Sequence, residues 1–262
     1  MTKKTRKATA GKKRGPGKRS PGKPAPLVIG PFDGFPVDTL RFLSELKANN
    51  QRDWFEDNKQ RYRENLLSPM CSFIEAMDSE LARVSDCFVA DSRPHGGSMF
   101  RIYRDVRFSR DKSPYKEHAA CQFRHMAGND AHTLGFYVHV APDEVFFGGG
   151  IWRPPSGPLA QVREAIADDP DAWKKATRSA AFKRRFGEVS GDSLKRPPRG
   201  FDAEQPLIVD IKRKSFFAVQ RVAPRTIEER GFAREVSRAF VALKPLMSFL
   251  ATAVGVSFSL DE

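Results

Sequence analysis

A change in hydrophobic period after Val84 constrains the fold of this chain more than any other feature. From Phe88 to Pro154 apolar and polar residues alternate, as they do along strands whose two faces meet different surroundings. This period predicts strands at 99–108, 119–125, 134–140 and 145–152. The turn-rich segments between them, at 109–114, 128–130 and 142–143, are too short for crossover helices. The strands should therefore form an antiparallel sheet.

Helical periodicity precedes this region. Asp38 is predicted to cap a short helix, and Asp53, with Glu56 at capping-box spacing, to begin a longer one. The apolar stripe of the second helix keeps its phase across Pro69. Proline removes a backbone donor from a helix interior, so we predict a kink at Pro69 rather than a break.

Helical periodicity also follows the strands. We predict a helix around 159–166, one that begins with Asp169 and Pro170, and a last one opened by a capping box at Thr226 and Glu229. Residues 215–222 are predicted to add a strand. The expected fold class is α+β: a central antiparallel sheet with N-terminal and C-terminal helices packed on it, as a single domain over residues 31–262.

The positive charge of the chain is concentrated at its N-terminus. Of 45 Lys and Arg residues, ten lie within residues 1–26, which hold no Asp or Glu, so 35 basic and 32 acidic residues remain for the rest. With almost no apolar side chains, residues 1–30 are predicted to be a disordered basic tail. The tail is either a non-specific nucleic-acid arm or a solubilising extension. The basic residues assigned to the arm are Lys12, Lys13, Arg14, Lys18 and Arg19.

Cysteine usage and hydropathy favour a cytoplasmic protein without a membrane partner. The sequence has three cysteines, an odd number without CxxC spacing, at Cys71, Cys87 and Cys121. Neither a zinc site nor a disulfide framework is therefore expected. Free thiols suit a reducing cytosol. The longest uncharged apolar run near the C-terminus, 246–260, is too short to span a bilayer comfortably. Nucleotide-binding glycine motifs and metalloprotease or serine-hydrolase signatures are missing from the sequence.

The segment 100–118 carries the best candidate site. On the predicted strand, one parity is apolar and should face the core, including Phe100 and Phe108. The other parity carries Arg101, Asp105 and Arg107. Arg104 falls on the core parity, where an unpaired charge is costly, so it requires a partner or a pocket.

The turn that follows adds Asp111, Lys112 and Tyr115. Guanidinium groups together with Lys112 and hydroxyls suit a phosphate or carboxylate, so Arg101, Arg104, Arg107 and Lys112 are predicted to bind an anion. Asp105 and Tyr115 are candidates for acid–base catalysis. Asp105 or Asp111 is also a candidate metal ligand, although no metal site is predicted. The alternative is an Arg–Asp network that only braces the edge of the sheet.

Two later features extend the candidate site. Tyr137 and His139 share the polar parity of their strand, and His139 is a further acid–base candidate. The glycines at 148–150 indicate either a bend in the strand or backbone amides that cup an anion. Trp152 is predicted to form an aromatic wall.

Several runs resemble an uncharacterised bacterial family, domain of unknown function 2461, over roughly residues 32–255. They are RIYRDVRFSRDKSPYK at 101–116, FYVH at 136–139, FGGGIWRP at 147–154, LKRPPRGFD at 194–202 and the stretch 50–62. The resemblance implies a single α+β domain. It implies no activity, cofactor or catalytic residue.

Three functions therefore stay open. The first is an Arg-rich pocket for an anionic small molecule, in a binding protein or in an enzyme acting on a phosphorylated or carboxylated compound. The second is a nucleic-acid-associated module that uses residues 1–26. The third is a structural or interaction domain. The sequence leaves the cofactor and the oligomeric state unknown.

Overall fold

One antiparallel sheet forms the centre of the protein. The coordinates are a computed structural model that describes residues 26–128 and 132–260. Within that part of the chain the sheet has five strands in sequence order. They are β1 (Phe88–Val89), β2 (Ala119–His125), β3 (Gly135–Val140), β4 (Val145–Ile151) and β5 (Phe216–Val222). Each strand pairs antiparallel with the next, which confirms the predicted sheet.

The register places the two parities of each strand on opposite faces. Cys121 lies opposite Val138, and Val138 lies opposite Phe147. Gln122 lies opposite Tyr137 on the other parity. The strands predicted at 119–125, 134–140, 145–152 and 215–222 are present to within one residue at each end. Residues 129–131 lie outside the described residues, so most of the turn predicted at 128–130 is not described. Residues 1–25, which make up most of the predicted basic tail, also lie outside them.

The strand predicted at 99–108 is wrong. This segment makes only isolated bridges, Met99 to Cys121 and Tyr103 to Tyr115. Two aspartates, one within this segment and one just after it, explain why it does not form a strand. Asp105 accepts a hydrogen bond from the Arg107 amide at 3.2 Å, and Asp111 accepts one from the Ser113 amide at 2.9 Å. Such local turns compete with a strand ladder for backbone donors.

The apolar residues of this segment were predicted to face the core, and this prediction is wrong for the residue at its end, Phe108. Ile102 is buried, but Phe108 is 95% exposed. Phe100 is only partly buried and lies beside Tyr137, with ring centroids 6.1 Å apart. Residues 100–113, which combine charged side chains with local turns, thus form a loop. This loop folds back on residues 114–116 and projects from the sheet.

The N-terminal helices are α1 (Asp38–Ala48), α2 (Arg52–Asp57), α3 (Lys59–Tyr62) and α4 (Ser68–Ala82), with a π-helical segment at Arg63–Leu67. The last three elements continue from Lys59 to Ala82 without a break at Pro69, as predicted. The longer helix expected from Asp53 is instead interrupted at Asn58. Asp53 is not its cap, because Gln51 holds the N-cap position of α2 and no side chain caps it.

The later helices are α5 (Ser156–Asp168), α6 (Pro170–Thr177), α7 (Ala180–Phe186), α8 (Ile208–Ile211) and α9 (Phe232–Ala253). Asp169 caps α6 as predicted, accepting the Ala172 amide at 2.9 Å. The capping box predicted at Thr226 is wrong. Pro224–Glu228 forms a 3-10 turn, and the extended backbone of Glu229 (φ −78°, ψ 138°) prevents a helix from continuing through it.

Helices from both ends of the chain cover one face of the sheet, which confirms the α+β class. On that face the ring of Phe240 in α9 lies 4.4 Å from that of Phe136 in β3, and Phe73 in α4 lies 6.5 Å from Phe123 in β2. Among the described helices, α9 alone is long and apolar enough to span a membrane by length and composition. Half of its apolar window is buried inside the domain, as in a core helix.

Candidate functional site

The face of the sheet opposite α4 and α9 carries a cleft of about 470 Å³. Strands β2 to β5 supply its floor, and the segment before β2 supplies one side. The described residues that line it are Phe100, Lys116, His118, Ala120, Gln122, Gly135, Tyr137, Phe146, Gly148, Gly149, Gly150, Trp152, Phe217 and Val219. The cleft therefore combines residues more than a hundred positions apart in the sequence.

Three glycines of β4 make room for the cleft. Gly148 pairs with Tyr137 on one side and Val219 on the other. Gly150 has a φ of +142°, and a Cβ atom there would lie 2.1 Å from the Phe216 carbonyl oxygen. Only glycine tolerates this conformation and this close approach of two strands. The register of β4 with β3 and β5 is unbroken through 148–150, so these glycines serve the close approach of the strands and no bulge is present there. Gly148 and Gly150 leave their part of the floor without side chains.

Aromatic side chains stand around this floor. Trp152 lines the cleft and is 47% exposed. The His132 ring stacks on its indole with centroids 5.3 Å apart, and the Arg153 guanidinium lies 5.1 Å from the indole centroid. Stacked neighbours on a large ring restrict its rotamers. Trp152 thus lies at the side of the cleft, with His132 stacked on it and Arg153 beside it.

Lys116 is the one charged side chain among the described residues of the lining. Its Nζ donates to the Arg101 carbonyl oxygen at 2.7 Å and lies 5.4 Å from the centre of the Phe100 ring. Burial is the main cause that lowers the pKa of Lys116, and the charge of Arg101 acts in the same direction. Neither Asp nor Glu lines the described part of the cleft, so its fixed charge is positive.

Two histidines lie at one end of the cleft. His118 lines it, and His139 lies behind, with the ring centroids 4.4 Å apart. Burial is the main cause that lowers the pKa of each to about 4; for His118 the neighbouring His139 and Lys116 add to it. Both imidazoles are therefore uncharged at neutral pH. The Tyr137 hydroxyl lies 3.2 Å from His139 Nδ1.

The predicted arginine cluster lies on the projecting loop. Arg107 binds Asp105, with its Nη2 2.7 Å from Oδ2, and Arg104 pairs with Asp111. Lys112 Nζ donates to the Val106 carbonyl oxygen at 3.0 Å. The hydrogen bond from Arg107 lowers the pKa of Asp105 to about 2. Arg104 thus has the carboxylate partner that its position requires, and the charges of Arg104 and Arg107 are compensated within the loop. Arg101 is exposed.

The three acid–base candidates do not meet. Tyr115 is buried and stacks on Phe55 in the core, with centroids 4.0 Å apart. Asp105 is exposed on the loop, and His139 is buried behind the cleft. Within the described residues no hydrogen bond or ring contact joins any two of them. No group of three or more His, Cys, Asp or Glu residues in that part gathers as a metal site.

Sequence reasoning missed several residues of the cleft. Lys116 and His118 follow the predicted strand and turn, and Phe146 and Phe217 were not singled out. One signal was present for Phe146: it shares the parity of Gly148 and Gly150, and that parity is opposite to the core residues Val145 and Phe147. Phe217 carries no local signal, because only the register of β5 against Gly150 brings it to the cleft.

An antiparallel sheet covered by helices on one face, with a cleft on the other, defines an α+β domain with one open sheet face. The family model described as "Conserved hypothetical protein (DUF2461)" matches residues 38–249, so the chain belongs to that family. No curated protein and no solved structure matches the chain.

Proposed function

We propose that the cleft binds a flat small molecule that carries a phosphate or carboxylate group. The observation that carries this proposal is the glycine floor between aromatic walls, with Lys116 at its side. The volume of about 470 Å³ lies within the usual range for small-molecule sites, about 300–1,000 Å³. A mostly apolar cleft with few polar groups supplies affinity through contact area and orientation through those groups.

The aromatic walls favour a planar ring in the ligand. Phe100, Tyr137 and Phe146 lie along one side of the floor, with ring centroids of consecutive pairs 6.1 Å and 5.9 Å apart. Trp152 closes another side. Rings prefer offset-stacked or edge-to-face contacts at such spacings, and a flat ligand inserted above glycines makes these contacts without displacing a side chain.

The charge of the lining favours an anionic group. An ammonium in a half-buried, apolar site is stabilised by an opposite charge more than it would be in water. Lys116 has three donors, of which one is used by the Arg101 carbonyl. The uncharged His118 beside it offers a further donor or acceptor. A phosphate or carboxylate near Lys116 would satisfy the free donors.

The test is calorimetric titration with nitrophenyl phosphate. Lys116→Gln removes the ammonium and keeps an unbranched polar side chain that is one atom shorter. Because a hydrogen bond to a charged group contributes about 1.5–3 kcal/mol, we expect affinity to fall about tenfold or more. Nitrobenzene derivatives without the phosphate should lose no affinity in this variant.

Two matched controls decide which cation matters. Lys174→Gln removes an exposed lysine that pairs with Asp171 on α6, and affinity should not change. Lys112→Gln removes a lysine that, like Lys116, donates to a carbonyl oxygen, but on the loop. Equal losses in the Lys112 and Lys116 variants would contradict the cleft as the anion site and return the role to Arg101, Arg104, Arg107 and Lys112.

A second candidate function is association with nucleic acid. One observation favours it: Phe108 is 95% exposed at the tip of the loop, with the Arg107 guanidinium 5.8 Å from its ring centre and the exposed Arg110 nearby in sequence. Exposed aromatic and basic side chains together stack on unpaired bases and contact phosphates. The basic residues of 1–26, which lie outside the described residues, would add affinity without sequence preference.

Deleting residues 1–30 tests the second candidate. If the tail supplies the affinity, binding of single-stranded DNA should be lost in the truncated chain, and the salt dependence of binding should be steep only in the full chain. Fluorescence anisotropy over a salt series measures both. Unchanged binding after truncation would assign the contact to the folded part, with Phe108→Ser as the next variant.

A further inference from the structure

Three polar side chains, those of Tyr137, His139 and Glu144, form a chain that starts at the cleft. Ligand binding by itself does not require such a chain. Tyr137 lines the cleft, its hydroxyl lies 3.2 Å from His139 Nδ1, and His139 Nε2 lies 4.0 Å from Glu144 Oε1. The His139 side chain is 11% exposed, whereas that of Glu144 is 49% exposed. The three groups therefore lead from the cleft through a buried imidazole toward a solvated carboxylate.

The surroundings of His139 select one tautomer. Its Nε2 faces the Glu144 carboxylate, and an N–H there is attracted to that charge whereas a lone pair is repelled. A neutral imidazole with its proton on Nε2 has a free lone pair on Nδ1. The Tyr137 hydroxyl then donates to Nδ1. Burial raises the pKa of Tyr137, so its oxygen keeps its proton at neutral pH.

The orientation of the imidazole is fixed on both sides. The His139 ring stacks on Phe146, with centroids 4.6 Å apart and planes 7° apart, and it contacts His118 at 4.4 Å. Because Phe146 and His118 both line the cleft, the ring that accepts the proton is held by the same residues that would contact a ligand. Such packing is what an acid–base group needs to keep its geometry.

We propose that Tyr137 and His139 form a proton relay that makes the cleft an acid–base catalytic site for a ligand with an acidic hydroxyl, thiol or activated C–H group. This inference rests on the proposed binding function. The ligand proton moves to the Tyr137 oxygen while the hydroxyl proton of Tyr137 moves to His139 Nδ1. The products are a ligand anion and an imidazolium, so charge is conserved. Glu144 faces the imidazolium, and Lys116 on the cleft side offers a cation to the ligand anion.

Nitrobenzisoxazole is a suitable probe, because it is flat and its reaction needs only a base. The base removes the ring C–H proton, the C–H electron pair becomes part of a nitrile, and the N–O bond breaks to release a coloured phenolate. Binding is measured by calorimetry and turnover by absorbance. Positioned proton transfer contributes roughly 10²–10⁴-fold to rate, so Tyr137→Phe and His139→Gln should each lower the rate of the bound probe at least about tenfold.

The control is Tyr103→Phe, which removes a half-exposed tyrosine hydroxyl outside the cleft lining and should leave the rate unchanged. A probe that binds the wild-type chain without reacting faster than in buffer, or that reacts equally fast in the Tyr137 variant, overturns the relay and leaves the binding function standing. A probe that does not bind overturns the relay as a site for such ligands, and the titration with nitrophenyl phosphate then decides the binding function separately.

The relay also has a readout in the unliganded protein. Long-range proton–nitrogen NMR of ¹⁵N-labelled protein reports which histidine nitrogen is protonated, with His139→Gln assigning the signals. We expect Nε2 of His139 to carry the proton at neutral pH and the tautomer ratio to shift toward Nδ1 in Tyr137→Phe. A wild-type His139 protonated on Nδ1 would mean that the imidazole donates to Tyr137, and the relay would be excluded.

Discussion

Replacing Gly150 with Ala should lower the free energy of unfolding by about 2–6 kcal/mol, because strain in a glycine-only conformation and overpacking against a neighbouring strand each cost about 1–3 kcal/mol. Gly150 has a φ of +142°, and the added Cβ would lie 2.1 Å from the Phe216 carbonyl oxygen and 2.5 Å from the Phe217 Cα. Both close contacts are with backbone atoms of β5, which cannot rotate away. The strands β4 and β5 would have to separate locally.

Chemical denaturation at neutral pH measures this loss, and Gly157→Ala is the matched control. Gly157 lies in the first turn of α5, and a Cβ there would meet no atom within 4 Å. Glycine disfavours helix, so this control should be neutral or slightly stabilising. If both variants are equally stable, the close approach of β4 and β5 at Gly150 is wrong, and with it the floor of the cleft.

Replacing Phe136 with Ala should cost about 3–5 kcal/mol of folding free energy, the usual range for removing a fully buried phenylalanine. Phe136 is 0% exposed and stacks on Phe240 at 4.4 Å, between β3 and α9. The cavity left behind lies where the sheet and the long C-terminal helix meet. Phe108→Ala removes the same ring from a side chain that is 95% exposed, so its cost should be within about 0.5 kcal/mol.

This pair of variants tests the loop as well as the core. Denaturation curves of both proteins, fitted with a common slope, give the two losses directly. A loss above about 1 kcal/mol for Phe108→Ala would exceed what an exposed site allows. It would show that residues 99–108 pack on the sheet as the sequence period predicts. Comparable losses in the two variants would contradict the assignment of Phe108 to the surface.

The hydrophobic period predicted the strands that are buried on at least one face. Phe123, Phe136 and Phe147 alternate with residues of the cleft face, and burial against α4 and α9 enforces that alternation. A shift of register by one residue would turn these rings away from the helices. The continuity of the helical segment through Pro69 and the cap at Asp169 were predictable for a different reason, because both depend on neighbours in sequence.

The hydrophobic period predicted a strand at 99–108 that does not form, because alternation of apolar and polar residues is not specific to strands. The segment alternates in polarity, but Asp105 and Asp111 bind nearby arginines and amides and so close local turns. The sequence shows which groups are able to make such bonds. It does not show whether the free energy of a turn exceeds that of a strand ladder, because the ladder depends on a partner edge elsewhere in the chain.

How the residues that line the cleft come together could not be predicted from local sequence patterns. Phe100, Tyr137 and Phe217 come together only through the order and register of four strands. Of the arginines predicted for their charge, Arg104 and Arg107 pair with carboxylates seven and two residues away in sequence. Among the described residues, the cation that lines the cleft is Lys116, which the predicted site does not include.

The sequence by itself determined β2 to β5 and the helices on either side of the sheet in sequence, because burial patterns act between near neighbours. Its motifs determined the family. The tertiary structure decided which polar groups are compensated and which face a ligand-sized space. Tyr137 and His139 share a parity that the sequence shows, but their contacts to His118, Phe146 and Glu144 follow from strand pairing. A site depends on distances between residues remote in the chain, and these exist only after the strands have paired.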